Sequence, residues 1–272
     1  MSGQFSYTGA VLVIFILAEM FSFSVSGNEF KPGLEFQDCK NCPLMVVIPS
    51  GQFNMGDLIG DGHPKELPVH QVNFKAIFAV GKYEVTFEEW DSCVTSGGCS
   101  YRPGDNNFGR GRRPVEMVSW DDAKTYIAWL SAHTGKQYRL LSEAEWEYVS
   151  RAGTTTNFTW GDRLGSGNAN CAYCDVKGLP QMIPVGSFAP NPFGIHDMVG
   201  SADEWVEDCE HNNYQGAPQD GSAWIAESEC NRRGIRGGSL HETEKFMLPS
   251  VRIFRSTAQR SKAMGFRVAR SL

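Results

Sequence analysis

The chain has 272 residues, 41% of them hydrophobic, which is enough for one substantial core or two small ones. With 29 Gly, 13 Pro and 7 Trp it reads as a loop-rich domain, and this composition excludes a helical bundle. A formal charge of −6, with Lys and Arg dispersed outside Arg110, Arg112, Arg113 and the C-terminal arginines, gives nucleic acid no footprint.

Ala10–Ala18 is an unbroken apolar run that Glu19 interrupts. It is too short for a bilayer, which needs roughly 20 residues. It fits the core of a secretory signal, with Ser22, Ser24, Ser26 and Gly27 as small residues for cleavage, although Met1–Gly9 holds no Lys or Arg. Residues 1–27 are therefore expected to be a signal peptide, and the mature protein to be periplasmic or extracellular. On this reading the chain meets a membrane only through that signal.

The eight cysteines fall into four local pairs: Cys39 with Cys42, Cys93 with Cys99, Cys171 with Cys174, and Cys209 with Cys230. Short-loop disulfides suit an oxidising compartment. The rival reading joins the two Cys-x-x-Cys pairs into a four-thiolate zinc site.

Residues 28–43 form a polar lead-in. Met45–Ile48 is a short apolar strand, and Pro49–Gly56 continues as turn and second strand of a hairpin. A polar loop over His63–His70 precedes a loosely alternating strand over Val69–Val80. Three helix starts follow, each with a hydroxyl that caps one amide and an acid three residues on that caps another. Thr86-Phe-Glu-Glu89 opens a short helix through Trp90. Ser119-Trp-Asp-Asp122 opens a longer one, with Trp120, Ala123, Ile127 and Leu130 at helical spacing and Gly135 past its end. Ser142-Glu-Ala-Glu145 opens the third, which Gly153 ends. Trp129, Trp146 and Tyr148 read as core. Residues 154–235 lose regular pattern, which calls for metal ions, disulfides or a ligand to order them. Short strands return around Gly234–Ser239 and Phe266–Ala269.

Several blocks of sequence stand out. They are Val47–Gly56, Val80-Gly-Lys-Tyr-Glu-Val-Thr86, Pro114–Ala123, Tyr138–Tyr148, Pro184-Val-Gly186, Phe193-Gly-Ile-His-Asp-Met-Val-Gly200, Glu204-Trp205, Arg236-Gly-Gly-Ser239 and Gly265-Phe266-Arg267. In this order and spacing they resemble the formylglycine-generating, or sulfatase-modifying factor, family. The resemblance covers roughly residues 44–270. It implies one α+β domain over 44–272, related to the C-type-lectin fold, with little regular secondary structure.

The oxidases of that family convert a sulfatase cysteine to formylglycine with molecular oxygen, through two cysteines that bind copper(I). The resemblance places those cysteines at Glu242 and Met247. A carboxylate is a hard ligand and one thioether is not a site, so copper is not expected and no catalytic residue carries over. Calcium transfers better, because it takes carboxylate and carbonyl oxygens. The family site maps to Asp197, the carbonyls of Gly200 and Ala202, and Glu204. Ser201 and Asp203 depart from the family pattern beside it. A second family site starts at Asn170 and the Cys171 carbonyl, with Asp175 as the one carboxylate at hand before Pro184.

Arg236, Arg252, Arg255 and Arg267 either pair with buried carboxylates or hold an anionic ligand. His241-Glu-Thr-Glu244 reads as a solvated loop unless a second histidine joins it as an iron site. Ser239 lacks a nucleophile-elbow motif, and no phosphate loop is present. The expected function is a calcium-stabilised binding or accessory protein presenting the 240–262 loop, with Arg236, His241, Arg252 and Arg255, to a peptide, protein or glycan. The alternative is an oxidase acting on sulfatase cysteines, or a relative using another metal.

Overall fold

The computed structural model describes residues 30–172, 174, 181–225 and 230–272, together with Met1 and Gly3. The expected signal segment thus lies outside the described residues, apart from Met1 and Gly3. Eleven strands and three α-helices organise the described part: β1 (Glu35–Phe36), β2 (Met45–Ile48), β3 (Gly51–Met55), β4 (His70–Phe74), β5 (Phe78–Gly81), α1 (Phe87–Thr95), α2 (Trp120–Thr134), β6 (Tyr138–Leu140), α3 (Glu143–Arg151), β7 (Asp203–Cys209), β8 (Arg232–Arg236), β9 (Ile253–Ser256), β10 (Met264–Phe266) and β11 (Val268–Ser271). The architecture is a loop-rich α+β fold.

The main sheet has the order β1-β2-β5-β11-β6. Its strands β2 and β5 are apolar without a polar alternation because both faces are buried. Successive residues point to opposite faces, and the packing follows that period. Met45, Ala79 and Val268 face a core built with Trp90, Tyr126, Leu130 and Phe266. Val46, Phe78, Val80 and Ala269 face a second core with Phe74, Trp146, Tyr148 and Val206. A second sheet, β10-β7-β8-β9, carries the motifs of the last third. Among the described residues no helix is long and apolar enough to cross a membrane.

All three expected helices form, each with both halves of its capping box in place. Helix α1 runs to Thr95, five residues beyond Trp90. Its continuation is fastened by the Cys93–Cys99 disulfide, a constraint that periodicity does not register. The expected hairpin over 45–56 is corrected. Strand β2, buried at every position, joins β1 and β5 in the main sheet. Strand β3, buried at its last residue only, leaves to pair with β4. The single strand over 69–80 likewise divides, because β4 answers β3 while β5 answers β2 and β11.

The four local cysteine pairs form four disulfides, Cys39–Cys42, Cys93–Cys99, Cys171–Cys174 and Cys209–Cys230, and no cysteine is free. This removes the four-thiolate zinc alternative, since the sulfurs of Cys39, Cys42, Cys171 and Cys174 are already bonded in pairs. Within residues 30–43, part of the expected polar lead-in packs into the fold. Cys42 is buried within the first core, with Cys39 packed against it, and β1 pairs with β2 as the edge of the main sheet. The disulfide converts two polar-context cysteines into one compact apolar group, which is what allows Cys42 to enter the core beside Met45.

Candidate functional site

Strand β8 ends in the Arg236-Gly-Gly-Ser239 block, and the chain then loops through residues 240–252 to β9. Backbone bonds fasten the start of this loop to the segment before β7. The Gly200 amide donates to the Gly237 carbonyl at 3.1 Å, and the Leu240 amide to the Ser201 carbonyl at 3.0 Å. Gly238 has φ +66°, and a Cβ there would sit 2.9 Å from the Phe246 carbonyl oxygen. The motif needs glycine at this point for both reasons, and the loop can therefore fold back over it.

Met247 is fully buried, packed with Phe158, Leu164, Ala169 and the Cys171–Cys174 disulfide. It acts as a core side chain and offers nothing to solvent. Glu242 is half-buried, its amide donating to the Ser239 carbonyl at 2.9 Å. The two positions therefore differ in kind as well as in chemistry, and with all eight cysteines in disulfides no thiolate remains for a soft metal.

Asp203 opens β7, its amide donating to the Ala263 carbonyl at 2.8 Å. Its Oδ1 has no hydrogen-bond partner among the described residues. Burial, and next the Glu242 carboxylate, push its carboxyl up to about 7, against the pull of Arg255. Two positions where this chain departs from the family resemblance, 203 and 242, thus act on each other electrostatically.

A second acidic group lies deeper. Glu204 Oε1 accepts from Arg267 Nη2 at 2.8 Å, and Oε2 accepts from Trp146 Nε1 at 2.8 Å. Asp197, at φ +58°, accepts the Gly186 amide at 2.6 Å. Glu84 is wholly buried, and both its carboxylate oxygens lack hydrogen-bond partners among the described residues. Burial raises the Glu84 carboxyl well above its usual range, and Asp197 adds to that, while Arg267 at 3.9 Å opposes it. Burial also raises Asp197. Three acids share one arginine here, and an unpaired buried carboxylate is costly. Carboxylate and carbonyl oxygens are the hard donors that calcium takes, and Asp197 lies in the same turn-rich segment as Gly200 and Ala202. Glu204 fits less freely, since Arg267 and Trp146 already occupy its oxygens. Among the described residues no group of three or more His, Cys, Asp and Glu is arranged to hold a metal ion, so carbonyl ligands are indispensable to such a site.

Of the residues of the second calcium reading, the Asn170 carbonyl accepts the Ser201 amide at 2.9 Å, and Cys171 is in its disulfide. Asp175 lies outside the described residues. Arg236 is fully buried, and its guanidinium bonds Glu147 and the Ser250 and Val251 carbonyls. Arg252 makes a bidentate pair with Glu143 at 2.8 and 2.7 Å. These two arginines pair with buried carboxylates, the first of the two readings that their sequence left open. The cause is α3, buried all round with three glutamates that need partners. Arg255 and His241 are exposed. Ser239 is buried, its Oγ accepting the His241 amide at 3.4 Å, and no triad forms around it. Glu84 was missed as a site residue, although it stands inside the quoted Val80–Thr86 block. A lone Glu in an apolar strand exit is the signal that marks it.

A sulfatase-modifying factor enzyme 1-like domain matches residues 31–272. The chain belongs to that family. A formylglycine-generating enzyme of Mycobacterium tuberculosis is 29% identical over 226 residues, 60% of this chain and 73% of the enzyme. The inactive C-alpha-formylglycine-generating enzyme 2 of Bos taurus is 29% identical over 250 residues, 70% of this chain and 79% of that protein. Among solved structures, PvdO from Pseudomonas aeruginosa is similar with a TM-score of 0.80 and 41% identity, covering 89% of this chain and 99% of PvdO. The sulfatase-modifying factor scaffold is thus shared by a relative named as an enzyme and one named as inactive, and the scaffold alone does not decide between them.

Proposed function

We propose that this protein is an exported, calcium-stabilised binding or accessory member of the sulfatase-modifying factor family. One observation carries the reading. Where the oxidases have two thiols, this chain has a half-buried carboxylate and a core thioether, and its eight sulfurs of cysteine are all oxidised. Copper(I) held by two thiolates has no counterpart here. The four disulfides support export, because such bonds persist in oxidising compartments.

The calcium would be held by Asp197 and the carbonyls of Gly200 and Ala202, with Glu204 at its edge. It would supply charge neutralisation to buried acids and rigidity to a turn-rich segment. The partner would be a peptide, protein or glycan meeting the 240–262 loop.

The oxidase reading is kept alive by the Mycobacterium tuberculosis relative. Oxygen uptake with a cysteine-containing sulfatase peptide, measured with and without copper, separates the two. No uptake above the peptide-only control is expected. Turnover that copper enhances would replace the binding reading with the catalytic one.

A further inference from the structure

A cleft of about 760 Å³ lies between α1, the last turns of α2 and the Cys39–Cys42 turn. Its size lies in the range that holds small organic ligands, roughly 300–1,000 Å³. Its apolar wall is made by Trp129 and His133, whose rings sit 5.3 Å apart at 20° to each other. Trp129 is fixed in place. A Cβ at Gly98 would lie 2.1 Å from its Cδ1, and the Tyr126 ring is 5.4 Å away. A ring held in this way loses little freedom when a ligand lies on it.

That ring carries an uncommitted donor. Trp129 is half-buried, and its Nε1–H has no hydrogen-bond partner among the described residues while staying in contact with solvent. The indoles of Trp90, Trp120, Trp146, Trp160 and Trp205 each donate to an oxygen of the fold. Asn41 also lines the cleft, is exposed, and its side-chain amide bonds nothing among the described residues. Along α1 the cleft offers acceptors. Ser92 Oγ donates to the Glu88 carbonyl at 3.1 Å, and Thr95 Oγ1 to the Asp91 carbonyl at 2.7 Å. Each hydroxyl proton is thus committed to the helix, and the oxygen keeps lone pairs for a donor from outside.

The charge around the cleft favours neither sign. Asp91 is answered by Arg110, whose Nε donates to its Oδ2 at 2.8 Å. Glu88 and Lys40 line the cleft without an ion pair among the described residues, one of each sign. A peptide anchored by an apolar side chain needs a concave apolar pocket. Here, apart from the Cys39 disulfide, the apolar surface is the Trp129–His133 wall, and the rest of the lining is mostly polar. The complement is a neutral body with one flat apolar face and a rim of hydroxyls, each able to donate and to accept.

We propose that this cleft binds a neutral oligosaccharide. The C–H face of one pyranose ring packs on the Trp129 wall, and its hydroxyls accept from the Trp129 indole and the Asn41 amide and donate to Glu88 and the α1 hydroxyls. The cleft shares no residue with the 240–262 loop, so the proposal goes beyond the reading above and stands apart from it.

Cellotriose and N-acetylated chitotriose serve as probes in calorimetric titrations, with acetyl-tetraserine amide as a peptide that has the hydroxyls but no ring face. Saturable binding of at least one trisaccharide is expected, with the peptide at least about tenfold weaker. Asn41→Ala, at an exposed position, is expected to melt as the wild type does and to weaken the sugar about fivefold, the worth of one neutral hydrogen bond. Trp129→Phe keeps an aromatic ring without the N–H and is expected to weaken it about tenfold. No saturable binding of either trisaccharide by the folded wild type, equal affinity for the peptide, or unchanged affinity in either variant would overturn the proposal. None of these results bears on the 240–262 loop, whose reading is decided by oxygen uptake.

Discussion

Arg236 Nη2 donates to Glu147 Oε2 at 2.6 Å, and neither side chain reaches solvent. Glu147 also accepts the Gly56 amide and Arg151 Nε through Oε1. One carboxylate of α3 thus ties β3, β8 and its own helix together. Breaking a buried pair by removing one partner leaves a bare charge in a dry site. Arg236→Ala is expected to cost about 3–5 kcal/mol in chemical denaturation. A loss near the ~0–1 kcal/mol of a surface pair would mean that the site is wetter than the structure has it.

Calcium removal tests the acidic group around Glu84 and Asp197. A ligand bound to the native state stabilises by mass action, by about 2.7 kcal/mol at one hundred times its Kd. Chelation is expected to lower the melting temperature and added calcium to restore it. A chelator-insensitive melt would remove the calcium proposal. Glu84→Gln is expected to raise the melting temperature of the chelated protein, because it deletes a buried acid that makes no hydrogen bond there and shares its one nearby arginine with Glu204.

Asp203 sets a pH dependence whose sign is fixed by its shift. Its carboxyl is held at about 7 in the fold against an ordinary 3.8. The native state then binds the proton that the unfolded chain has released, so stability falls as pH rises from about 4 to about 7 and levels above that. Asp203→Asn is expected to flatten part of this fall, measured as unfolding free energy at pH 5 and pH 8. Glu89 and Asp208, also pushed up to about 7 by burial, keep the remainder. An unchanged slope in the variant would show that Asp203 titrates as an ordinary surface acid.

The Cys209–Cys230 disulfide spans 21 residues, whereas Cys93–Cys99 spans 6. In the chain-entropy account the longer loop stabilises more. Replacing the longer pair by serines is expected to cost about 2–5 kcal/mol, and the shorter pair less, when their melts are compared. The reverse order would locate the effect in native packing around Cys93 and Cys99.

Local features were legible in the sequence. Each helix start was readable because a cap is a matter of three or four consecutive residues. The cysteine pairs were readable because their partners are near neighbours in the chain. The blocks around Gly194, Arg236 and Gly265 carried the family, and with it the α+β class. Less was legible where a residue answers something remote. The entry of Cys42 into the first core depends on α1, α2 and the main sheet closing over it. The split of residues 69–80 into β4 and β5 depends on which strand waits beside each half. The burial of Arg236 and Arg252 depends on the glutamates of α3, up to 109 residues away for the Glu143–Arg252 pair.

The sequence by itself determined the helix caps, the short-loop disulfides, the family and the loss of both thiols at positions 242 and 247. Each of these is written in adjacent residues or in identity at a counted position. Only the tertiary structure decided that Met247 is core, that Glu84 is left without a hydrogen bond beside Asp197, and that Trp129 lines a cleft with α1 and the Cys39–Cys42 turn. Those facts belong to segments far apart in the chain. A buried charge is satisfied or stranded by whatever the fold brings against it, and no local pattern encodes that meeting.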